Sequence, residues 1–262
     1  MKEKTRERIK RFRLMDNAFM KVFFKDNYEA TELLLRIILN KPDIVVKDIK
    51  VESDLDNLEG RSVTLDVLAV DDNGVEFNVE IQRRSNGANA QRAGYHLSMM
   101  HTHMLKKEES FENLKDAYVI FITESDTIGD NKPISVYETM NIDDHKQFDD
   151  KRHIIYVNGE ARCSTTELGR LMEDFFCEDP DKINYPEIKK KFKYLKEDKG
   201  VEEMISVEDE IRQEGKIEGA EQNSVEIALN LLSLGKNSIE EIATVTGLSI
   251  DKIRELANQK AV

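Results

Sequence analysis

Leu65-Asp66-Val67-Leu68-Ala69-Val70, then Asp71-Asp72-Asn73-Gly74, then Val75-Glu76-Phe77-Asn78-Val79-Glu80-Ile81-Gln82 is the stretch whose reading decides the fold. Two apolar, β-branched runs flank an Asn-Gly pair, the strongest short-range signal for a β-hairpin. Side chains alternate across a strand, so Asn78, Glu80 and Gln82 share one face while Val79 and Ile81 take the other. Asp66 interrupts a run that otherwise suits burial. An acid in such a run is costly unless it is paired or holds a cation. Two acids on neighbouring strands also raise each other's pKa, a conflict that a shared divalent cation removes. Mg²⁺ takes hard oxygen ligands, often one or two carboxylates, with water and phosphate filling the rest of its shell. Asp66 and Glu80 supply that minimum, and the backbone carbonyl of Ile81 adds one more oxygen. The chemistry expected of such a site is metal-assisted phosphodiester hydrolysis, with Gln82 orienting the water or the phosphate. A plainer account makes each acid an ordinary salt-bridge partner of Arg61, Arg83 or Arg84. On the residue pattern alone, that plainer account is the favoured one.

Working outward, residues 14–39 carry Phe19, Phe23, Phe24 and the run 33–39 at near-helical spacing, with Pro42 as a stop, and predict one helix. Residues 44–52 predict a strand, and 62–70 and 75–83 the two hairpin strands. Residues 88–107 place Ala90, Ala93, Leu97, Met100 and Met104 at helical spacing, and 117–123 is a continuous apolar run that fits a buried strand. The order is helix, three strands, helix, strand, which is an α/β core with a mixed central sheet flanked by helices. Shorter strands are predicted at 134–139 and 153–157. Helices at 165–177 and 186–197 and an acidic stretch at 201–222 make the rest mostly helical. Ser238, Glu240, Glu241 and the turn Thr246-Gly247-Leu248-Ser249 predict a helix-turn-helix over 238–258. The domain division expected is a core at 1–160, a helical extension at 161–222 and a small tail at 223–262.

Four pieces of the chain together resemble the Rpn-type recombination-promoting nuclease and transposase family of the PD-(D/E)XK nuclease superfamily. They are Met15-Asp16-Asn17-Ala18-Phe19-Met20-Lys21-Val22-Phe23, Leu65-Asp66-Val67-Leu68-Ala69, Phe77-Asn78-Val79-Glu80-Ile81-Gln82, and Gln91-Arg92-Ala93-Gly94-Tyr95-His96-Leu97-Ser98. The resemblance covers residues 14 to about 140 as the nuclease core. It implies a Mg²⁺- or Mn²⁺-dependent DNA endonuclease with Asp66 and Glu80 as metal ligands. Gln82 stands where the superfamily has its lysine, a departure from the broader pattern that an amide cannot make good in charge. The resemblance also brings Asp16 near the metal, although a helix N-cap is the stronger reading of that residue. Arg92 and Tyr95, three apart on one helix, are expected either to reach phosphate or to serve as an ion-pair partner and a packed ring. The partners implied are DNA and a second copy of the chain, with no membrane and a cytoplasmic location.

Composition narrows the alternatives. The net charge of −13 excludes a chain coated in phosphate-binding surface. Residues 1–50 carry 13 Lys/Arg against 8 Asp/Glu, and residues 51–150 carry 9 against 21, so the acidic block coincides with the hairpin. Cys163 and Cys177 lack a Cys-x-x-Cys spacing and are expected as free thiols. His96, His101 and His103 lack the i, i+4 spacing of a zinc-binding helix and are expected to be exposed or packed. The basic leader at residues 2–13 is an electrostatic candidate for nucleic acid, whereas the strip Lys189-Lys190-Lys191 reads as a solvated face.

Overall fold

The computed structural model describes residues 2–57, 60–83, 87–197, 199–202, 204–205, 224, 227–233, 237–248, 250, 253–254 and 256. Its contacts divide the chain into two units, Met1–Ile205 and Ser206–Val262.

The first unit opens with α1 (Lys2–Lys10), α2 (Asn17–Phe24) and α3 (Tyr28–Leu39). The single helix expected over 14–39 is thus two helices. The break falls at Asp26, whose φ of 54° lies in the left-handed region. Asn27 then closes the gap, donating from its side chain to the Phe23 carbonyl and accepting through its own carbonyl from the Thr31 hydroxyl. Asn40, also left-handed, ends α3.

Six strands follow in one mixed sheet of spatial order β1-β2-β3-β4-β6-β5. They are β1 (Val46–Leu55), β2 (Val63–Asp71), β3 (Glu76–Gln82), β4 (Ala117–Thr123), β5 (Ile134–Tyr137) and β6 (Arg152–Asn158). The first three form an antiparallel meander. The predicted hairpin turn is present: Gly74 takes φ 79°, and Asp71 Oδ1 accepts the N–H groups of Asn73 and Val75 at 2.8 Å. The helix α4 (Ala90–Met104) then crosses over to β4, which runs parallel to β3 and to β6. β4 is buried along its whole length, as its unbroken apolar run requires. On one face of the sheet, Leu68, Val119, Phe121 and Tyr156 pack under Ala93, Leu97 and Met100 of α4.

Beyond the sheet, α5 (Glu167–Phe176) and α6 (Pro186–Lys196) fall within the first unit. Phe19 meets Phe192 edge-on at 5.1 Å, Phe24 lies 6.4 Å from Phe175, and the Met15 N–H donates to the Phe175 carbonyl. Asp174 is fully buried and accepts the backbone N–H groups of Asn184 and Tyr185, which fixes the link between the two helices. Lys196 donates to the carbonyls of Lys10, Phe12 and Glu178 over the rings of Phe19 and Phe192, and burial lowers its pKa to about 8.

In the second unit, α7 (Ile239–Thr246) starts with a capping box between Ser238 and Glu241 and ends at left-handed Gly247. Ala228, Ile242, Ile253 and Leu256 form its small core. Most of the second helix expected up to 258, and most of the acidic stretch 201–222, lie outside the described residues.

Candidate functional site

The register of β2 on β3 pairs Val67 with Val79 and Leu68 with Asn78, so one step further on Asp66 stands opposite Glu80. Here side chains replace the backbone ladder. The Asp66 N–H donates to Glu80 Oε1 at 3.2 Å, and the Ile81 N–H donates to Asp66 Oδ2 at 3.2 Å. Both carboxyl groups therefore sit in the seam between the two strands. Glu80 is 1% exposed, so its polar contacts have to come from the protein.

Those contacts come from α4 and from Asn78. Arg92 Nη2 lies 2.7 Å from Glu80 Oε2, and Asn78 Nδ2 donates to Glu80 Oε1 at 3.1 Å. His96, four residues after Arg92 and on the same helix face, puts Nδ1 3.5 Å from Glu80 Oε1. Arg92 Nε donates to His96 Nε2 at 3.3 Å. A guanidinium can only donate, so Nε2 accepts and the imidazole proton belongs on Nδ1, facing Glu80. The Oδ1 of Asn78 is buried there without a hydrogen-bond partner.

Electrostatics separate the two acids. Burial pushes the Glu80 carboxyl up, but the hydrogen bond from His96, the charge of Arg92 and the bond from Asn78 together hold it below the usual glutamate value. Asp66 goes the other way. Burial, and then the charge of Glu80, raise its pKa to about 7 against the pull of the Ile81 N–H and the charges of Arg92 and Lys21. The pair is thus a fixed anion beside a carboxyl that changes state near neutral pH.

Gln82 ends β3 half-buried, with its amide against Gly87. Arg92 also donates to the Gly87 carbonyl at 3.2 Å. A cavity of about 700 Å³, lined by Arg61, Thr64, Asn89, Gln91, Arg92 and Tyr95, opens alongside. Tyr95 donates to the Arg61 carbonyl at 2.5 Å, so both residues expected at the phosphate line a cleft while holding structural contacts.

Asp16 bonds to two arginines. It occupies the N-cap position of α2, yet its carboxylate makes no cap bond. It instead binds Arg83 Nη1 and the Arg13 N–H, both at 2.7 Å. Arg83 pairs with Glu124 as well. The other expected features also have plain places. His101 bonds the Lys151 carbonyl, His103 bonds the Met99 carbonyl, and both cysteines are free. Lys189 and Lys191 donate to backbone carbonyls of Asp181 and Lys25, so that strip is partly tied down rather than fully solvated. Among the described residues, no helix is long and apolar enough to cross a membrane.

His96 and Asn78 are the members of the site that sequence reasoning left without a role. The signal for His96 was its i, i+4 spacing from Arg92, which places both over one patch of sheet.

Among the described residues no group of three or more His, Cys, Asp or Glu side chains converges as a metal cage. The centre offers two carboxylates, one of them without an arginine partner, and an unpaired buried amide oxygen beside them. That donor set fits Mg²⁺ or Mn²⁺, which keep several waters and bind through one or two carboxylates.

A hairpin that opposes an aspartate to a glutamate, followed by a crossover helix and a parallel strand, defines a nuclease-type core of the PD-(D/E)XK class. Residues 13–205 match the family described as PD-(D/E)XK nuclease family transposase, and the chain belongs to that family. No curated protein and no solved structure gives a significant match to the chain.

Proposed function

We propose that this protein is a metal-dependent DNA endonuclease of the transposase-associated, recombination-promoting type, with Asp66 and Glu80 as its metal ligands. The observation that carries this reading is the opposition of the two acids at the end of the β2–β3 ladder, one ionised and one titrating near neutrality. An ordinary backbone ladder would satisfy the Asp66 and Ile81 N–H groups without facing two carboxyls across a seam, and burial makes the arrangement costly.

When bound, Mg²⁺ or Mn²⁺ would acidify water and offset charge building on a phosphoryl group. Glu80 stays ionised and correctly aimed because Arg92, His96 and Asn78 fix it. Asp66, once deprotonated, would be the second carboxylate to hold the cation. The Ile81 carbonyl, next along the chain from Glu80, would be the backbone oxygen that completes the ligand set. Gln82 would orient water or phosphate by hydrogen bonding alone, and Arg92 and Tyr95 border the cleft along which a DNA strand would run.

Plasmid cleavage with Mg²⁺ or Mn²⁺, comparing wild type with Asp66→Ala and Glu80→Ala, tests the reading. Both substitutions should abolish cleavage, and nicking that survives both would remove the site from consideration. A second reading is a catalytically silent DNA-binding protein that keeps the fold. The ion pair of Glu80 with Arg92 and the amide at position 82 favour it. DNA binding without cleavage at any metal concentration is its signature. A homodimer and a cytoplasmic location complete the proposal, and sedimentation of the full chain tests the first of these.

A further inference from the structure

Lys21 lies in the last turn of α2, a helix that packs against β1 and β2. Its ammonium is paired with Glu52, and its side chain is only 11% exposed. Glu52 stands on β1 between the register pairs Val51–Val67 and Ser53–Leu65, which puts it directly across from Asp66. Glu52, Asp66 and Glu80 therefore form one row over three adjacent strands. Glu52 also has a φ of 54° inside a strand. A non-glycine residue keeps that left-handed conformation only where its surroundings impose it, and such residues collect at functional sites.

Each outer acid of the row has its own cation, Lys21 for Glu52 and Arg92 for Glu80. Arg92 is fully engaged, donating to Glu80, His96 and Gly87. Gln82 brings hydrogen bonds but no charge. Phosphodiester hydrolysis builds negative charge beside the metal, and a fixed cation there lowers the barrier. Lys21 is the remaining cation whose charge acts on Asp66.

We propose that Lys21, aimed by Glu52 across the sheet from Asp66, is the positioning residue that brings fixed positive charge to the Asp66 side of the centre, the charge an amide at position 82 cannot supply. This rests on the metal-centre reading above. The backbone turn at Glu52 serves to swing its carboxylate toward α2, where it holds Lys21.

Two measurements on the full chain test it, Mn²⁺ affinity by electron paramagnetic resonance and single-turnover plasmid cleavage. Each compares wild type with Lys21→Met, Lys21→Arg and Glu52→Gln. Removing a nearby ammonium should tighten Mn²⁺ binding about three- to tenfold in Lys21→Met. Cleavage by that variant should nevertheless fall about 30-fold or more, with DNA affinity unchanged. Lys21→Arg should restore both values to near wild type. Glu52→Gln should lower cleavage by about threefold to tenfold, because the ammonium is retained but no longer held. Unchanged Mn²⁺ affinity in Lys21→Met would overturn the proposal, as would equal losses in Lys21→Met and Lys21→Arg, since shape rather than charge would then matter. If wild type binds Mn²⁺ but does not cleave, the hydrolytic reading fails while the Mn²⁺ series still decides whether the Lys21 charge acts at the centre. If wild type binds no Mn²⁺, the metal centre itself is wrong and the inference falls with it.

Discussion

Arg92 Nη2 sits 2.7 Å from Glu80 Oε2, one of the contacts that make the two acids of the centre unequal. Glu80 keeps its charge because a guanidinium, an imidazole and an amide all face it. Asp66 is desolvated by burial and faces another carboxylate across the seam, with a backbone N–H to bond, and so holds its proton up to about pH 7. Any cation that binds between them must displace that proton, so metal affinity and pH are linked through one residue.

Mg²⁺ or Mn²⁺ affinity should therefore climb about tenfold per pH unit below about 7 and level off above it. Calorimetry in buffers of different ionisation heat should find close to one proton released per ion at pH 6, and almost none above pH 8. Cleavage at subsaturating metal should follow the same curve. A flat affinity between pH 5.5 and 8 would show that Asp66 is not a ligand.

The same titration works against folding. The native chain holds a proton on Asp66 up to about pH 7, whereas an unfolded aspartate has lost it above about 4. The native state thus binds more protons across that window, and stability falls as pH rises from about 4 to about 7. Asp66→Asn removes the penalty and keeps an oxygen for the Ile81 N–H. Discounted for partial exposure, the variant should be about 1–2 kcal/mol more stable than wild type at pH 8 and no more stable at pH 4. Urea unfolding at the two pH values, without divalent ions, measures this directly.

Much of this architecture was legible in the residues, for reasons that differ from element to element. The Asn73-Gly74 turn and the alternation through Asn78, Glu80 and Gln82 fix the hairpin and its faces locally, without help from the rest of the chain. The break at Asp26 was not legible, because Phe19 to Leu39 keeps a helical rhythm across it and only a backbone dihedral marks the gap. Asp16 was read through a helix-cap preference, but Arg83 and Arg13 compete for its carboxylate and win. The row Glu52-Asp66-Glu80 needs the register of three strands, which no single stretch encodes. Likewise, Phe192 of α6 and Phe175 of α5 meet the rings of Phe19 and Phe24 across long stretches of chain, which sequence periodicity does not show.

Arg92 should prove to be structural as well as electrostatic. Arg92→Met leaves Glu80 charged, 1% exposed and short of its closest partner. Breaking one side of a buried pair costs about 3–5 kcal/mol, here at the low end because Arg92 itself is 37% exposed. Adding Glu80→Gln to Arg92→Met should recover more than half of the loss, giving a coupling above about 1.5 kcal/mol in a double-mutant cycle. Additive losses would mean that the pair contributes nothing beyond packing.

Gly87 offers a way to move Gln82 without changing it. A Cβ at position 87 would collide with the Gln82 amide. That amide is the far end of a flexible side chain, so Gly87→Ala should displace it at a stability cost below about 1 kcal/mol. The Arg92 bond to the Gly87 carbonyl does not involve the added methyl and should survive. If Gln82 orients water or phosphate, a shift of about 1 Å lowers cleavage on the order of tenfold while Mn²⁺ affinity stays put. Gln82→Ala should then match Gly87→Ala in rate, and the double variant should be no slower than either, since both remove one interaction. Wild-type cleavage by Gly87→Ala alongside a slow Gln82→Ala would place the working amide in a different rotamer. Wild-type cleavage by both would leave the chemistry to Asp66, Glu80 and their neighbouring cations alone.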